Sequence, residues 1–450
     1  MREGFLKMFS RLLRVLARLT LKRYKPLIIG VTGNVGKTST KEAIRVVLQI
    51  EKRVRAASKN FNNELGLPLV ILGDWQLTEG FFFWPKALIA AIFQIIARNA
   101  DYPEILVLEY GVDRPGDMMW LLDIARPQIG VVTAMGEVPV HVEFFPNIEA
   151  VAREKEKLVM HLPATGSAIL NSDDENVLSM GTKTRAQVLT CGFLKGADIR
   201  ATNLEEFFSP DRRASIRENF GLNFKLNYGG NFVPVKMRGV LGEGQVRAAL
   251  SAAGVGLVLG INLVQIAEAL SKYRSPLGRL NVLEGIKGSV LIDDAYNASP
   301  LSVKEALNVL RSLSARGGSA FGGKAKRKIA VLGDMLELGR YTLEAHEEVG
   351  KLAGKSADVL ITVGIRAKAI AEGAVKSGMM KRSVHSFNGV SEAGRFLQAL
   401  MRAGDLVLLK ASQGVRLERV TEEVMAHPED APKLLPRQTP VWKKRVGLYD

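Results

Sequence analysis

Gly30-Val-Thr-Gly-Asn-Val-Gly-Lys-Thr-Ser-Thr-Lys-Glu42 decides the fold. The apolar run Leu27-Ile28-Ile29 before it reads as a buried strand, and Ala43 to Ile50 after it reads as a helix. A Gly-rich turn between strand and helix, closed by Lys-Thr, is a phosphate-binding loop: backbone N–H groups of the turn and of the helix N-terminus converge on phosphate oxygens. Lys37 is placed to neutralise β- and γ-phosphates, and the Thr38 hydroxyl to sit on a magnesium ion. The long form of the pattern fails at Val31, where a first glycine is expected, but the short form is met at Thr32, Gly33, Gly36, Lys37 and Thr38, with Asn34 and Ser39 alongside. A chance Gly-rich turn is the bland alternative, and the flanking strand and helix argue against it. The stretch predicts a nucleotide site.

Working outward, Ile105 to Leu108 reads as a second buried strand ending in Glu109. An acid at the carboxyl end of a parallel strand beside a phosphate loop is where an α/β sheet places a magnesium ligand; a surface acid or helix cap is the alternative. Pro276 and Gly278 break the chain near its middle, and Arg279 follows, placed to reach back across a domain interface or to make a plain salt bridge. Beyond it Val290 to Ile292 is apolar and runs into DDAYNASP, Asp293 to Pro300. There Asp294, Tyr296 and Asn297 suit contact with a ribose and base edge, although a bare acidic pair before a helix is usually a cap. Strand and helix signals alternate through 26–273 and again through 274–435, so the fold class is α/β in two large domains, with a tail at 436–450; from His427 on the chain is Pro-rich and reads as extended.

The 450 residues suffice for two or three cores, and 47% apolar with 24% charged residues is ordinary for a globular protein. Cys191 is the only cysteine, so no intrachain disulfide forms and a cytoplasmic setting is expected. A net charge of +16 favours anionic partners. No basic run interleaved with aromatics appears, which speaks against nucleic acid.

Residues 1–25 carry eight basic residues against Glu3 alone, with Phe5, Phe9, Leu12, Leu13, Leu16 and Leu19 at helical spacing. That describes a basic amphipathic helix, either lying on the inner face of the plasma membrane or packed on the nucleotide domain. The arginines interrupt every apolar stretch, so a cleaved signal peptide is not expected. Gly80 to Ala100 is the most apolar stretch, too short between Lys86 and Arg98 to span a bilayer. Burial is the favoured reading, with a dip into the membrane surface as the alternative.

The short phosphate-loop form resembles that of the Mur ligases, the ATP-dependent amide-bond ligases of peptidoglycan synthesis, and the match is nearest to their D-alanyl-D-alanine-adding branch. KNFNNELGLPL from Lys59, DAYNASP from Asp294, GDMLELG from Gly333 and HEEVG from His346 carry it, over roughly Pro26 to Val424. The resemblance implies a central P-loop ATPase domain with a mostly parallel sheet and a Rossmann-like C-terminal domain. It implies ATP and Mg2+ as cofactors, and a UDP-linked muramoyl peptide and D-Ala-D-Ala as substrates. It adds His141 and a carbamylated Lys155 as ligands of a second magnesium, although AREKEKLV also reads as a solvated helix face. Arg279 becomes a phosphate contact, and Asn60, Asn62, Asn63, Asp334, His346, Lys410 and Ser412 substrate-side residues. The chain departs from the family at Gly244, Gln245 and Ala248, where His, Asn and Asn usually help hold adenine, leaving Gln245 as the amide for that role. Only about 25 residues precede the phosphate loop, so the family's N-terminal UDP-sugar domain is not expected here. A related ligase acting on another carboxylate, or a membrane-surface P-loop NTPase without ligase activity, are the rival readings.

Overall fold

The computed structural model describes residues 2–57, 61–75, 83–97, 99–136, 144–209, 211, 213, 215–315 and 327–449, without the side chains of 2–8, 314 and 315. Helix α1 (Arg2–Tyr24) leads into β1 (Leu27–Thr32), the phosphate-loop turn and α2 (Lys37–Leu48). α2 starts at Lys37, earlier than the apolar pattern from Ala43 indicates, because Gly36 takes up the left-handed conformation (φ 92°) from which the helix springs. The chain continues through β2 (Val54–Ala56), α3 (Gly66–Leu72), α4 (Phe83–Ile96), β3 (Ile105–Glu109), α5 (Asp117–Ile124), β4 (Ile129–Val132) and α6 (Ile148–Met160). β5 (Ser167–Asn171), α7 (Glu175–Ser179), β6 (Gln187–Gly192), β7 (Ile199–Phe208), β8 (Phe220–Tyr228), β9 (Asn231–Arg238), α8 (Glu243–Val258) and α9 (Leu263–Ser271) complete this half.

Its sheet has the order β2-β3-β1-β4-β5-β6-β7-β8-β9, parallel up to β7 and antiparallel from β7 to β9. β3, β4 and β5 are buried at every position, as a parallel sheet covered on both faces requires. Val47 of α2 and Val246 and Ala249 of α8 cover one face, and Leu121 of α5 with Val151 and Leu158 of α6 the other.

The second sheet is built from β10 (Asn281–Gly285), β11 (Ser289–Asp294), β12 (Arg327–Gly333), β13 (Val359–Val363), β14 (Val384–Phe387) and β15 (Asp405–Lys410). Its order is β10-β11-β15-β12-β13-β14, parallel except for β10. Arg247 of α8 joins the halves: it pairs with Asp173 at 3.1 Å and Glu243 at 3.2 Å on its own side, and with Glu305 at 2.9 Å on the helix Pro300–Ala315 of the other.

On α1, Leu13, Leu16, Ala17 and Thr20 face inward and Arg14 pairs with Asp123 of α5, so the helix packs on the nucleotide half as one of its two readings has it, while Leu12 and Leu19 point outward. α4 is buried on one face only, through Phe83, Ala87 and Ala91. The chain from His427 is not extended: it forms two short helices, Ala431–Leu434 and Pro440–Lys444, then returns so that Leu448 N–H donates to the Gly414 carbonyl at 2.9 Å. Among the described residues no helix is long and apolar enough to cross a membrane.

Candidate functional site

Both sheets turn the carboxyl ends of their parallel strands to one cleft of roughly 580 Å3, within the usual range for ligand sites. The loop after β1 contributes Asn34, Gly36, Lys37 and Thr38, and the end of β3 contributes Glu109. From the other half come Arg279, Tyr296 and Asn297, and Ser412 from beyond β15.

The phosphate loop is pinned to the end of β4. Asn34 and Val35 N–H groups donate to the Ala134 carbonyl at 2.8 and 3.1 Å, and Thr133 Oγ1 donates to the Val35 carbonyl at 2.6 Å. Gly33 must be glycine, because its φ is 138° and a Cβ there would collide with Thr133 Oγ1. Thr32 lies behind the loop, fully buried, its hydroxyl donating to the Tyr110 carbonyl at 2.9 Å. Lys37 Nζ folds onto the carbonyls of Gly33 at 2.7 Å and Asn34 at 3.3 Å. Burial lowers its pKa, against a weaker opposing pull from Glu109. Ser39 is buried in α2 and is not among the cleft-lining residues.

Glu109 is withdrawn from solvent at the strand end. Its Oε1 lies 2.8 Å from Lys41 Nζ, while Oε2 has no hydrogen-bond partner among the described residues. Burial alone would raise its pKa, but Lys41, then Lys37 and Arg279, hold it below the ordinary carboxylate value. The charge of Arg279 is thus felt at Lys37 and Glu109, and its guanidinium lies 4.5 Å from the Tyr296 ring centre. Arg437 covers the same ring at 5.0 Å, so Tyr296 sits between two cations. An unpartnered buried carboxylate oxygen in the cleft shared with the Thr38 hydroxyl is a donor set that fits magnesium. Among the described residues no group of three or more His, Cys, Asp or Glu forms a closed metal cage.

Lys155 of α6 is buried rather than on a solvated face, and burial together with Lys37 pushes its pKa down to about 7. Its neighbour Glu154 accepts N–H groups of Gly116 at 3.0 Å and Met118 at 3.1 Å, fixing the start of α5. His141 and Asn60 lie outside the described residues. Asn62 reaches the cleft, and its carbonyl accepts from Gly111 N–H at 2.8 Å.

Several expected site residues are engaged elsewhere. Asn63 Oδ1 accepts the N–H groups of Leu65 and Gly66, holding the turn into α3. Gln245 is buried and accepts from the Tyr273 hydroxyl at 2.7 Å, so the structure ties it to the packing of α8 rather than to the cleft. Gly244 carries no side chain where Glu305 approaches: a Cβ there would stand 2.9 Å from its carboxylate. Asp294 and Lys410, in register on β11 and β15, form a buried pair at 2.5 Å, and Lys410 also donates to the Asn297 carbonyl. Asp334 accepts Ala367 N–H at 2.7 Å and the Tyr449 hydroxyl at 2.5 Å. His346 Nε2 accepts from Met335 N–H at 3.0 Å, and its Nδ1 lies 2.6 Å from the Thr342 carbonyl, so it props the loop after β12. Ser412 does line the cleft, accepting Leu336 N–H and donating to the Ala298 carbonyl.

Sequence reading missed Lys41, whose partner is set by strand register, and Asp113 at the cleft wall. It missed the tail as well: Trp442, Arg445 and Leu448 line the cleft, and Arg416 donates to the carbonyls of Trp442 and Arg445. The run VWKKRVGLYD carries no local signal for that position.

The Mur ligase middle domain model matches residues 90–255 and the Mur ligase, glutamate ligase domain, model matches residues 278–413. The UDP-N-acetylmuramoyl-tripeptide–D-alanyl-D-alanine ligase of Mycobacterium leprae is 34% identical, over 87% of this chain and 72% of that one. The enzyme of that name from Bacillus subtilis is 30% identical over 92% of this chain and 79% of its own. Among solved structures, a MurF ligase from Thermotoga maritima in complex with ADP superposes with a TM-score of 0.73 at 27% identity, covering 94% of this chain and 84% of that one.

Proposed function

This chain belongs to the Mur ligase family, and we propose that it is the ATP-dependent ligase joining D-alanyl-D-alanine to a UDP-N-acetylmuramoyl-tripeptide in peptidoglycan precursor synthesis. One observation carries the reading: the phosphate-loop residues Lys37 and Thr38, the strand-end Glu109, and Arg279 and Tyr296 of the second half line a single cleft. A site assembled from two domains can hold ATP in one and bring an acceptor to its γ-phosphate from the other.

In this reaction a substrate carboxylate oxygen attacks the γ-phosphorus and ADP leaves, giving an acyl phosphate. The dipeptide amine then attacks the acyl carbon. The C–N bond forms, the C–O bond to phosphorus breaks, and phosphate and a proton are released. Carboxylate and triphosphate are both anions, so the chain must offset their repulsion. Lys37 would leave the Gly33 and Asn34 carbonyls for the phosphates, and Arg279 would approach from the opposite wall. Tyr296 and Asn297 would contact the nucleoside, while Asn62 and Ser412 would face the acceptor. Thr38 and Glu109 would hold magnesium, which when bound supplies positive charge between the two anions. Lys155, near neutrality at physiological pH, would be in the amine form that carbamylation requires, with His141 completing that side as in the family. Asp334, His346, Lys410 and Asp294 would act through the fold, by holding the loops that carry contact residues. Dependence on ATP and on a UDP-linked substrate favours a cytoplasmic reaction.

The test is product mass. Purified chain with ATP, magnesium, UDP-N-acetylmuramoyl-tripeptide and D-Ala-D-Ala is expected to give a product heavier by the dipeptide less water, with ADP formed in equal amount. ADP formation with other carboxylates and none with this pair would overturn the substrate assignment.

A further inference from the structure

We infer that the outer face of α1 and α4 is a docking surface for an anionic lipid bilayer, independent of the ligase reaction. α4 exposes Ile89, Ile92, Phe93 and Ile96, the last two at 69% and 74%. Their spacing (i, i+3, i+4, i+7) makes one stripe along the helix, opposite the buried Phe83, Ala87 and Ala91. α1 exposes Leu12, Val15 and Leu19 at i, i+3 and i+7. The helices lie side by side and run in the same direction. Near their starts the Phe9 and Trp84 rings meet edge to face at 4.7 Å; near their ends Tyr24 donates to the Gln94 carbonyl at 2.9 Å and Arg23 to the Ile96 carbonyl at 3.2 Å.

Helical phase decides where the stripes point. On α1, Leu13 and Leu16 cluster with Trp84, Leu88 and Ala91 of α4 and with Leu72 of α3, while Ala17 and Leu21 cluster with Leu67, Val70 and Ile71 of α3. At about 100° per residue, Leu12, Val15 and Leu19 emerge on the α4 side, away from α3. On α4, Trp84 and Leu88 turn to α1, and Phe83 and Ala87 to Leu69 of α3. The α4 stripe therefore also emerges away from α3. Both stripes face the same way, and isolated exposed apolar residues do not produce that alignment.

Charge selects the occupant. Arg11, Arg18, Lys22 and Arg23 are exposed along α1 and Lys86 on α4, and no acidic residue lies in 9–25 or 83–97. A second copy placed by a two-fold axis would set this basic rim against itself, on a chain of net charge +16. Neither helix can span a membrane. An anionic bilayer supplies both required chemistries, an acyl boundary for the isoleucines and Phe93, and negative headgroups for the arginines and lysines.

The experiment is co-sedimentation of the full chain with phosphatidylcholine vesicles, with and without phosphatidylglycerol. Binding is expected only with phosphatidylglycerol, and should weaken as salt is raised. Phe93→Ser/Ile96→Ser and Arg11→Glu/Lys22→Glu should each weaken it by about tenfold or more, with thermal midpoint and phosphate release in free solution unchanged. No sedimentation with either vesicle, or sedimentation that both variants retain, would overturn the inference. So would a lipid-free dimer that Phe93→Ser/Ile96→Ser abolishes, since a second copy would then cover the face.

Discussion

The Lys41 ammonium lies 2.8 Å from the Glu109 carboxylate, and the two side chains are only 3% and 2% exposed. One acid thus serves two purposes: it neutralises a lysine of the helix that the phosphate loop starts, and it offers its other oxygen to the cleft. Breaking such a pair on one side leaves a buried charge uncompensated, at a cost on the order of 3–5 kcal/mol. Because Glu109 is held below its ordinary value of 4.5, its stabilising effect is fully present above that pH and is lost as pH falls through its folded pKa. Lys41→Met should lower the thermal midpoint and move the acidic limb of the pH–rate profile upward. An unmoved limb would mean that Glu109 does not act as the ionised group in catalysis.

Lys37 is held by loop carbonyls and disfavoured as a cation by burial. Its removal takes away a buried charge, so Lys37→Ala should fold as well as the parent. Turnover should drop by about a thousandfold or more, since charge neutralisation in the transition state is lost. Thermal melts and phosphate release separate the two effects, and parental activity in this variant would contradict the nucleotide site.

Asp293 is fully buried, accepts from the Thr421 hydroxyl at 3.0 Å, and has a pKa raised to about 7, chiefly by burial. The folded state therefore binds a proton that the unfolded chain releases near 3.8, and stability from this group falls as pH rises from there through 7. Asp293→Asn should stabilise by on the order of 2–4 kcal/mol at pH above 7, with little effect near pH 4. Denaturant titration at the two pH values checks it, and an equal change at both would contradict it.

The Tyr449 hydroxyl meets the fully buried Asp334 at 2.5 Å. Tyr449→Phe should cost about 1–3 kcal/mol, the worth of a hydrogen bond to a charged group, and loosen the tail where Leu448 lines the cleft. The expected kinetic signature is a raised KM for the amine substrate with KM for ATP less affected. A change in neither would leave the tail without a part in the site.

What the sequence made legible is what lies close along the chain. The phosphate loop, Glu109 at its strand end, Arg279 after the break at Pro276, and Tyr296 after β11 are each fixed by neighbours within a few residues. Lys410 and Asp294 were equally visible as polar residues at strand ends, but their mutual pairing depends on β11 and β15 lying in register across 116 residues of chain. The bond from Met335 N–H to His346 Nε2 exists only in the folded chain and has no local signature. The same holds for the bond between the Tyr273 hydroxyl and Gln245. Helical spacing showed that α1 and α4 are amphipathic, but which apolar residues stay outside depends on where α3 lies.

Activation of the substrate carboxylate as an acyl phosphate, in the cleft between the two sheets, would leave its mark on the phosphate released. Isotope transfer tests it most directly: supply the tripeptide substrate with its acceptor carboxylate labelled with 18O, run the reaction with ATP and D-Ala-D-Ala, and weigh the phosphate released. One labelled oxygen is expected in each phosphate, because the carboxylate oxygen that attacked the γ-phosphorus leaves with it. Unlabelled phosphate alongside ADP would contradict it, since ATP would then be split by water.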